Sequence, residues 1–408
     1  EKLIRKQKEN PNLKVYVLAD ENNNFYGAFE HPFITSMKNA GINVIIVDIF
    51  KLKDTFPWYS PIWRTFIEPM GNPQNKGWIT NFYGDMWPKL TVRNLLRALN
   101  VKADHKKVFL NEKEVVVSSA NIHDPSYFHE NIAVYADGPI VKDVLRDLQL
   151  VAKFSDSKID TDSTNEEIEH IENVSKDNKV TTYEEKVNTE VMEEKPSTNI
   201  EKNEITDMEG KTYKIQYLTE AAIGKYLDTD IDNLKSGDEL LMGMYFLADK
   251  GVIDRLIKAA NRGVKIRIIF DRSRDAFGMS TNGLPNKPVS KKLKKKTKGK
   301  IEIKWYFTNN EQYHTKITLM KKTDGNVIIN AGSANLIKKN IRGYIMDSNF
   351  RILTTQDSKM SKDIYEYFDR LWENKDGLFT INFDDEPTTS GFSDFMYKIL
   401  DATQLGSF

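Results

Sequence analysis

A repeated unit is what most narrows the folds open to this chain. Leu13 to Leu18 reads as an apolar strand, Pro32 to Asn39 has helical character, and Gly41-Ile-Asn-Val-Ile-Ile-Val-Asp48 reads as a second strand. The same order returns further on. Glu239 to Tyr245 is a strand, Val252 to Asn261 carries apolar residues at helical spacing, and Gly263-Val-Lys-Ile-Arg-Ile-Ile-Phe-Asp271 is the next strand. Strands separated by helices of this length imply crossover connections and parallel pairing. The expectation is an α/β fold of two similar lobes, each a mostly parallel sheet flanked by helices, facing one another pseudo-symmetrically.

Between the repeats, residues 155–209 hold 17 acidic and 6 basic residues and no Trp or Phe. Such a composition buries too little apolar surface to offset chain entropy. It reads as a linker between a first lobe over 1–154 and a second over 210–408. Val180, Thr181, Thr182 and Tyr183 form a patch of β character within it, enough for a local hairpin. At 408 residues the chain is long enough for two cores.

There is no cysteine, which removes disulfides, thiolate nucleophiles and cysteine-bound zinc. The chemistry-bearing residues follow each repeat instead. His105-Lys106-Lys107-Val-Phe-Leu leads to Ser118-Ser119-Ala120-Asn121, and His314-Thr315-Lys316-Ile-Thr-Leu leads to Gly332-Ser333-Ala334-Asn335. Residues two apart on a strand share a face, so His105 with Lys107, and His314 with Lys316, can meet one anion. Ser119 and Asn121, and Ser333 and Asn335, add hydrogen-bond donors from the neighbouring strand end. Phosphodiester cleavage needs a nucleophile on one side of phosphorus, an acid on the other and cations over the remaining oxygens. Two such sets supply all of this without a metal. The imidazoles must then differ in protonation, and a carboxylate on the second ring nitrogen is the usual device. Glu130 and Asp347, each following a Ser-x-Asn, are the candidates.

These two His-x-Lys and Ser-x-Asn pairs resemble the signature of the phospholipase D superfamily, in particular its bacterial phospholipase D-like and cardiolipin synthase-like proteins. The resemblance spans about Leu13 to Leu150 and Lys214 to Asn374, with Asp275-Ala-Phe-Gly278 and Gly283-Leu-Pro-Asn286 inside it. It implies a two-lobed α/β/α fold, a phosphohistidine intermediate and no metal or other cofactor. It also implies that His, Lys, Ser and Asn of each motif touch phosphate, and that the first histidine attacks. With Glu130 as the better matched carboxylate and Glu112 near the family's motif aspartate, attack falls to His105 and leaving-group protonation to His314. Two departures stand out. Glu112 occupies the motif-Asp position of the first half, with the spacing to Ser119 one residue short. Lys321 occupies it in the second, with Asp324 three residues later.

The expected activity is phosphodiester hydrolysis or phosphatidyl transfer on phospholipids, with a nuclease of the same chemistry or an inactive lipid-binding homologue as alternatives. Lys+Arg and Asp+Glu are equal at 59 each, so no overall field steers the chain to nucleic acid. From Phe56 to Trp87 the chain gathers Trp58, Tyr59, Trp63, Phe66, Trp78, Phe82, Tyr83, Met86 and Trp87. This stretch reads either as a local core or as an apolar rim for acyl chains and a membrane interface. Lys291 to Lys300 reads as a solvated face or as a contact for anionic headgroups. His31, His123, His129 and His170 have no repeat partner and read as structural. No apolar run is long enough to span a bilayer, and the expected location is the cell envelope, membrane-associated and extracytoplasmic, with an anchor or signal removed ahead of Glu1.

Overall fold

The computed structural model describes residues 1–56, 58–81, 84–160, 204–207, 209–273, 275–276, 279–280, 283–308 and 311–386. The chain divides into two compact units, Glu1–Asp104 with Leu145–Met192 and His105–Val144 with Glu193–Phe408. The division falls after Asp104, inside the helix Ile140–Phe154, and after Met192 within the acidic stretch. Both half-motifs thus lie in one unit. Most of the acidic stretch, with His170 and Val180 to Tyr183, lies outside the described residues. At its described ends, Ile159 is buried against Ile45 and Ala152, and Glu204–Thr206 pairs as a strand.

In the first unit, β1 (Tyr16–Asp20) and β2 (Asn43–Val47) pair in parallel from Tyr16↔Asn43 to Asp20↔Val47. The helix Pro32–Asn39 makes the crossover. Pro32 supplies a helical φ at its first turn, and the Phe33 amide donates to His31 Nδ1 at 3.2 Å. Gly41, at φ +85°, takes the left-handed turn into β2. The aromatic stretch is part buried and part exposed. Phe56, Tyr59 and Trp63 form a buried cluster, and Trp87 packs beside Phe29, while Trp58, Phe66, Trp78 and Met86 are exposed. Phe82 and Tyr83 lie outside the described residues.

The second unit holds the larger core. β3 (Val108–Leu110), β4 (Glu114–Ser118) and β5 (Ala133–Asp137) form an antiparallel sheet. The remaining strands are β6 (Glu204–Thr206), β7 (Thr212–Thr219), β8 (Glu239–Met244), β9 (Lys265–Phe270), β10 (Asp275–Ala276), β11 (Met279–Ser280), β12 (Ile301–Tyr306), β13 (Lys316–Lys321), β14 (Asn326–Gly332), β15 (Ser348–Thr355) and β16 (Thr380–Asn382). Apart from the small β10–β11 hairpin they form a nine-stranded sheet in the order β16-β12-β9-β8-β13-β14-β15-β7-β6. Within this sheet only the β8–β9 and β9–β12 pairings are parallel, joined through the helices Lys250–Asn261 and Asn286–Thr297. The other pairings are antiparallel, which corrects the expectation of a mostly parallel sheet. The repeat captured only the crossover segments; β13 and β14 are joined by a tight turn that returns the chain antiparallel.

Two apolar clusters hold this unit together. One fills the face of β8, β9 and β12 beneath the helices Glu220–Asp232 and Lys250–Asn261. The other joins Val115, Val117 and Val134 of the three-stranded sheet to Ile317, Leu319, Ile329, Phe350 and Ile352 of the large one. The lysine run lies on the helix Asn286–Thr297, which buries Val289, Leu293 and Thr297 and turns its lysines outward. Lys292 pairs with Asp254 at 3.1 Å, and Lys294 lies over the Phe383 ring. Among the described residues no helix is long and apolar enough to cross a membrane.

Candidate active site

Each half-motif enters a strand at its lysine end. His105 to Lys107 runs extended into β3, and His314 and Thr315 lead into β13, which begins at Lys316. Alternation sends the middle residue of each triplet to the opposite face. There Lys106 forms a buried ion pair with Glu220 at 3.0 Å, and Thr315 donates to the Glu130 carbonyl at 3.1 Å. On the near face Lys107 donates to the His105 carbonyl at 2.8 Å, and Lys316 to that of His314 at 2.9 Å. Ser119 and Ser333 follow the ends of the partner strands β4 and β14.

The two imidazoles are held from across the unit. His105 Nδ1 lies 2.7 Å from Asp347 Oδ1, and the His105 amide donates to the Met346 carbonyl at 2.7 Å. Asp347 is fully buried and accepts two further bonds, from Ser333 Oγ to Oδ1 at 2.7 Å and from Asn340 Nδ2 to Oδ2 at 2.6 Å. His314 Nδ1 lies 3.0 Å from Asn131 Oδ1. The amide of Asn131 donates to the carbonyls of Ser126 at 2.9 Å and His129 at 3.1 Å, which fixes its oxygen towards His314. Ser119 Oγ donates to that same oxygen at 3.0 Å. Both histidines therefore carry the proton on Nδ1 and present Nε2. His105 keeps 26% of its side-chain surface exposed.

Glu130 does not orient a histidine through its carboxylate. It contributes backbone: its amide donates to the Gln312 carbonyl at 2.9 Å, and its carbonyl takes the Thr315 hydroxyl. Asn131 takes the place expected of a carboxylate, and Asp347 serves the histidine of the other motif. The sequence signal for Asn131 lies in the strands that follow. Val134 pairs with Val117 and Phe350 with Ala331, each partner two residues ahead of its Ser-x-Asn serine, which sets Asn131 against Asp347. The hydroxyls of Ser119 and Ser333, expected on phosphate, are taken up by these orienting groups. The Asn335 side-chain oxygen is buried with no hydrogen-bond partner among the described residues, whereas Asn121 is half-buried. Glu112 is exposed beside the β3–β4 turn, and Asp324 accepts the Asn326 amide in the β13–β14 turn. Both lie at the far strand ends.

Burial first, and then crowded positive charge, sets the electrostatics. Burial, then Lys107, hold His105 below its ordinary 6.5 against the pull of Asp347. Burial, then Lys316, Lys107 and His105, hold His314 well below that value. Burial and Lys107 press Lys316 well below the usual ammonium range. Burial pushes Asp347 up, but His105 and Lys107 outweigh it and keep the carboxyl below 3.8. Behind His314, Asp271 accepts the Tyr313 amide at 2.8 Å, and burial raises its carboxyl to about 7. The arrangement is a cationic socket of two histidines and two lysines, suited to binding an anion. Of the remaining histidines, His123 accepts the Ser126 amide at 3.1 Å, and the His129 ring lies 6.1 Å from that of His314.

Residues 231–372 match the family model described as cardiolipin synthase, PLD-like domain, a span that takes in the second half-motif. Among solved structures, the phosphatidylserine synthase of Haemophilus influenzae Rd KW20 is similar over 99% of this chain and 84% of that one, at 10% identity and a TM-score of 0.56. Nuc from Salmonella typhimurium, a phospholipase D family member, is 17% identical over 40% of this chain and 95% of its own, at a TM-score of 0.30. No curated protein matches the chain. The family match is thus confined to residues 231–372, and the chain as a whole shares a mixed α/β architecture of several sheets flanked by helices with the phosphatidylserine synthase structure.

Proposed function

We propose that the chain is a phospholipase D-type phosphodiesterase or phosphatidyltransferase that acts on phospholipids at a membrane surface of the cell envelope, its two half-motifs serving one site. The observation that carries this reading is the pair of Nδ1-protonated imidazoles, one on a carboxylate and one on an amide, beside Lys107 and Lys316. His105 Nε2 attacks phosphorus, and Asp347 stabilises the positive charge that then develops on the ring. The bond from phosphorus to the departing alcohol breaks, and the His314 imidazolium gives that oxygen its proton. A neutral amide partner leaves this imidazolium the stronger acid. In the second step water or an alcohol attacks phosphorus, its proton passes to His314 Nε2, and the N–P bond breaks to restore His105. Lys107, Lys316, Asn121 and Asn335 hold the phosphate oxygens. The two similar lobes expected over 1–154 and 210–408 belong to the same proposal.

Mass-spectrometric analysis of products from phosphatidylglycerol, phosphatidylcholine and single-stranded DNA tests it. A free or exchanged headgroup is expected. Cleavage of DNA alone would turn the reading to a nuclease, and no turnover of any diester would leave a binding protein.

The acid–base assignment also fixes a pH profile. His105 must be neutral and His314 protonated, so kcat/KM is bell-shaped, rising through the lower of the two pKa values and falling through the higher. Both lie below 6.5, so the maximum is expected on the acid side of that value. Asn131→Asp places a carboxylate on His314 Nδ1 and raises its pKa, which should move the maximum, the mean of the two values, to higher pH. A maximum above pH 7, or one that Asn131→Asp leaves in place, would remove His314 as the acid.

A further inference from the structure

The loop between Asn121 and Asn131 joins two residues of the site, yet it turns large apolar side chains to solvent. Ile122 is 83% exposed, Tyr127 86% and Phe128 72%. Tyr127 and Phe128 stand edge to face with ring centres 5.3 Å apart. The loop is tied to the reacting centre by a short series of rings. His123 lies 6.4 Å from His129, and His129 lies 6.1 Å from His314. The loop is also held in place: the Asn121 amide donates to Ser126 Oγ at 3.0 Å, Asn131 clamps the Ser126 and His129 carbonyls, and His129 Nδ1 accepts the Gln312 amide at 3.1 Å. An ordered loop that exposes three apolar side chains beside a cationic socket calls for an occupant.

We propose that Ile122, Tyr127 and Phe128 form a lip that enters the outer layer of a phospholipid bilayer and brings a lipid phosphodiester to the His105 and His314 site. This inference rests on the phospholipid reading above and extends it to a docking surface. The chemistry of the loop selects among occupants. Between Asn121 and Val134 there is no Lys or Arg, and Asp124 and Glu130 add negative charge, which opposes a polynucleotide backbone. Ile122 offers no ring for base stacking. Three side chains fall far short of the roughly 20–30 residues a side of a stable protein interface. A mixed aliphatic and aromatic cluster next to polar groups suits the boundary between headgroups and acyl chains. A phospholipid held by its phosphate at the socket would leave its acyl end beside these side chains. Binding of this kind is apolar and so resists salt.

Flotation with vesicles of phosphatidylcholine and of phosphatidylglycerol, at low salt and at roughly 0.5 M salt where screening is strong, tests the proposal on the full chain. The wild type is expected to float with both lipids at both salt levels. The triple variant Ile122→Ser, Tyr127→Ser, Phe128→Ser should float at least about tenfold less, because it has lost the apolar area that would be buried. Its thermal unfolding should match the wild type, as these side chains are exposed in the fold. A wild type that fails to float, a triple variant that floats as well as the wild type, or flotation that disappears in salt would each overturn the lip. Loss of single-stranded DNA binding in the triple variant, with flotation intact, would reassign the rings to bases and likewise overturn it. Turnover of detergent-dispersed phosphatidylglycerol separates the two readings, since it requires no bilayer. Turnover without flotation removes the lip alone, and flotation without turnover removes the catalytic reading alone.

Discussion

His105→Asn is expected to lower kcat by about four orders of magnitude or more with the fold intact. The substitution removes the ring nitrogen that attacks phosphorus, but an asparagine amide can still donate to Asp347 Oδ1, so the buried carboxylate keeps a partner. The covalent intermediate supplies a second readout. Quenching the wild type during turnover at high pH, where phosphohistidine survives, should trap a phosphoryl adduct on His105. With a leaving group that departs without a proton, His314→Ala should accumulate the same adduct, because the second step lacks its base. An adduct on His314 in the wild type would reverse the two roles and keep the mechanism. Full activity in His105→Asn would end it.

Asp347→Ala should both inactivate and destabilise. The carboxylate receives His105 Nδ1, Ser333 Oγ and Asn340 Nδ2 in a fully buried position. Its loss leaves three donors unmatched. The expected cost is about 3–5 kcal/mol, or a fall in Tm on the order of 10 °C for a unit of this size. Asp347→Asn keeps an acceptor for His105 and Ser333 and should stay folded while losing roughly 10²–10⁴ in kcat, since an amide cannot stabilise the charge on the attacking ring. The acid limb of stability carries the same signature. A carboxyl held below 3.8 in the folded protein contributes fully above about pH 4, and its contribution is lost as pH falls through the folded value. Thermal denaturation of the two variants between pH 3 and 7 measures this. An Asp347→Ala protein as stable as the wild type would show that the carboxylate does not hold the site.

The strands and helices of the crossover segments were legible because one period dominates each. The helix Pro32–Asn39 and the strands Asn43–Val47, Glu239–Met244 and Lys265–Phe270 fall where the apolar pattern puts them. Sheet direction was not, since local pattern is silent on which neighbour a strand finds. β7 and β15 pair although more than a hundred residues separate them. The histidine and lysine pairs were visible as a repeat. Of their orienting partners, Asp347 was visible as a carboxylate but not as the one on His105, and Asn131 was not visible, because a search for the nearest carboxylate favours Glu130 and only pairing across the sheet shows that Asn131 faces His314. Ser119 and Ser333 were visible as donors, but their acceptors become known only once Asn131 and Asp347 are placed.

The contact between His105 and Asp347 spans 242 residues of chain. On a ribosome adding 5–20 residues each second, the first of them waits roughly 10–50 s for the second. Throughout that interval β3, β4 and β5 can pair with one another, but Val115, Val117 and Val134 have no large sheet to cover them. The nascent chain therefore carries an uncovered apolar face through most of its synthesis, and loop-closure entropy makes its burial a late step. Chaperone occupancy and translation speed should govern the yield of active protein more strongly than they govern the yield of the β8–β12 core, whose elements leave the ribosome in succession.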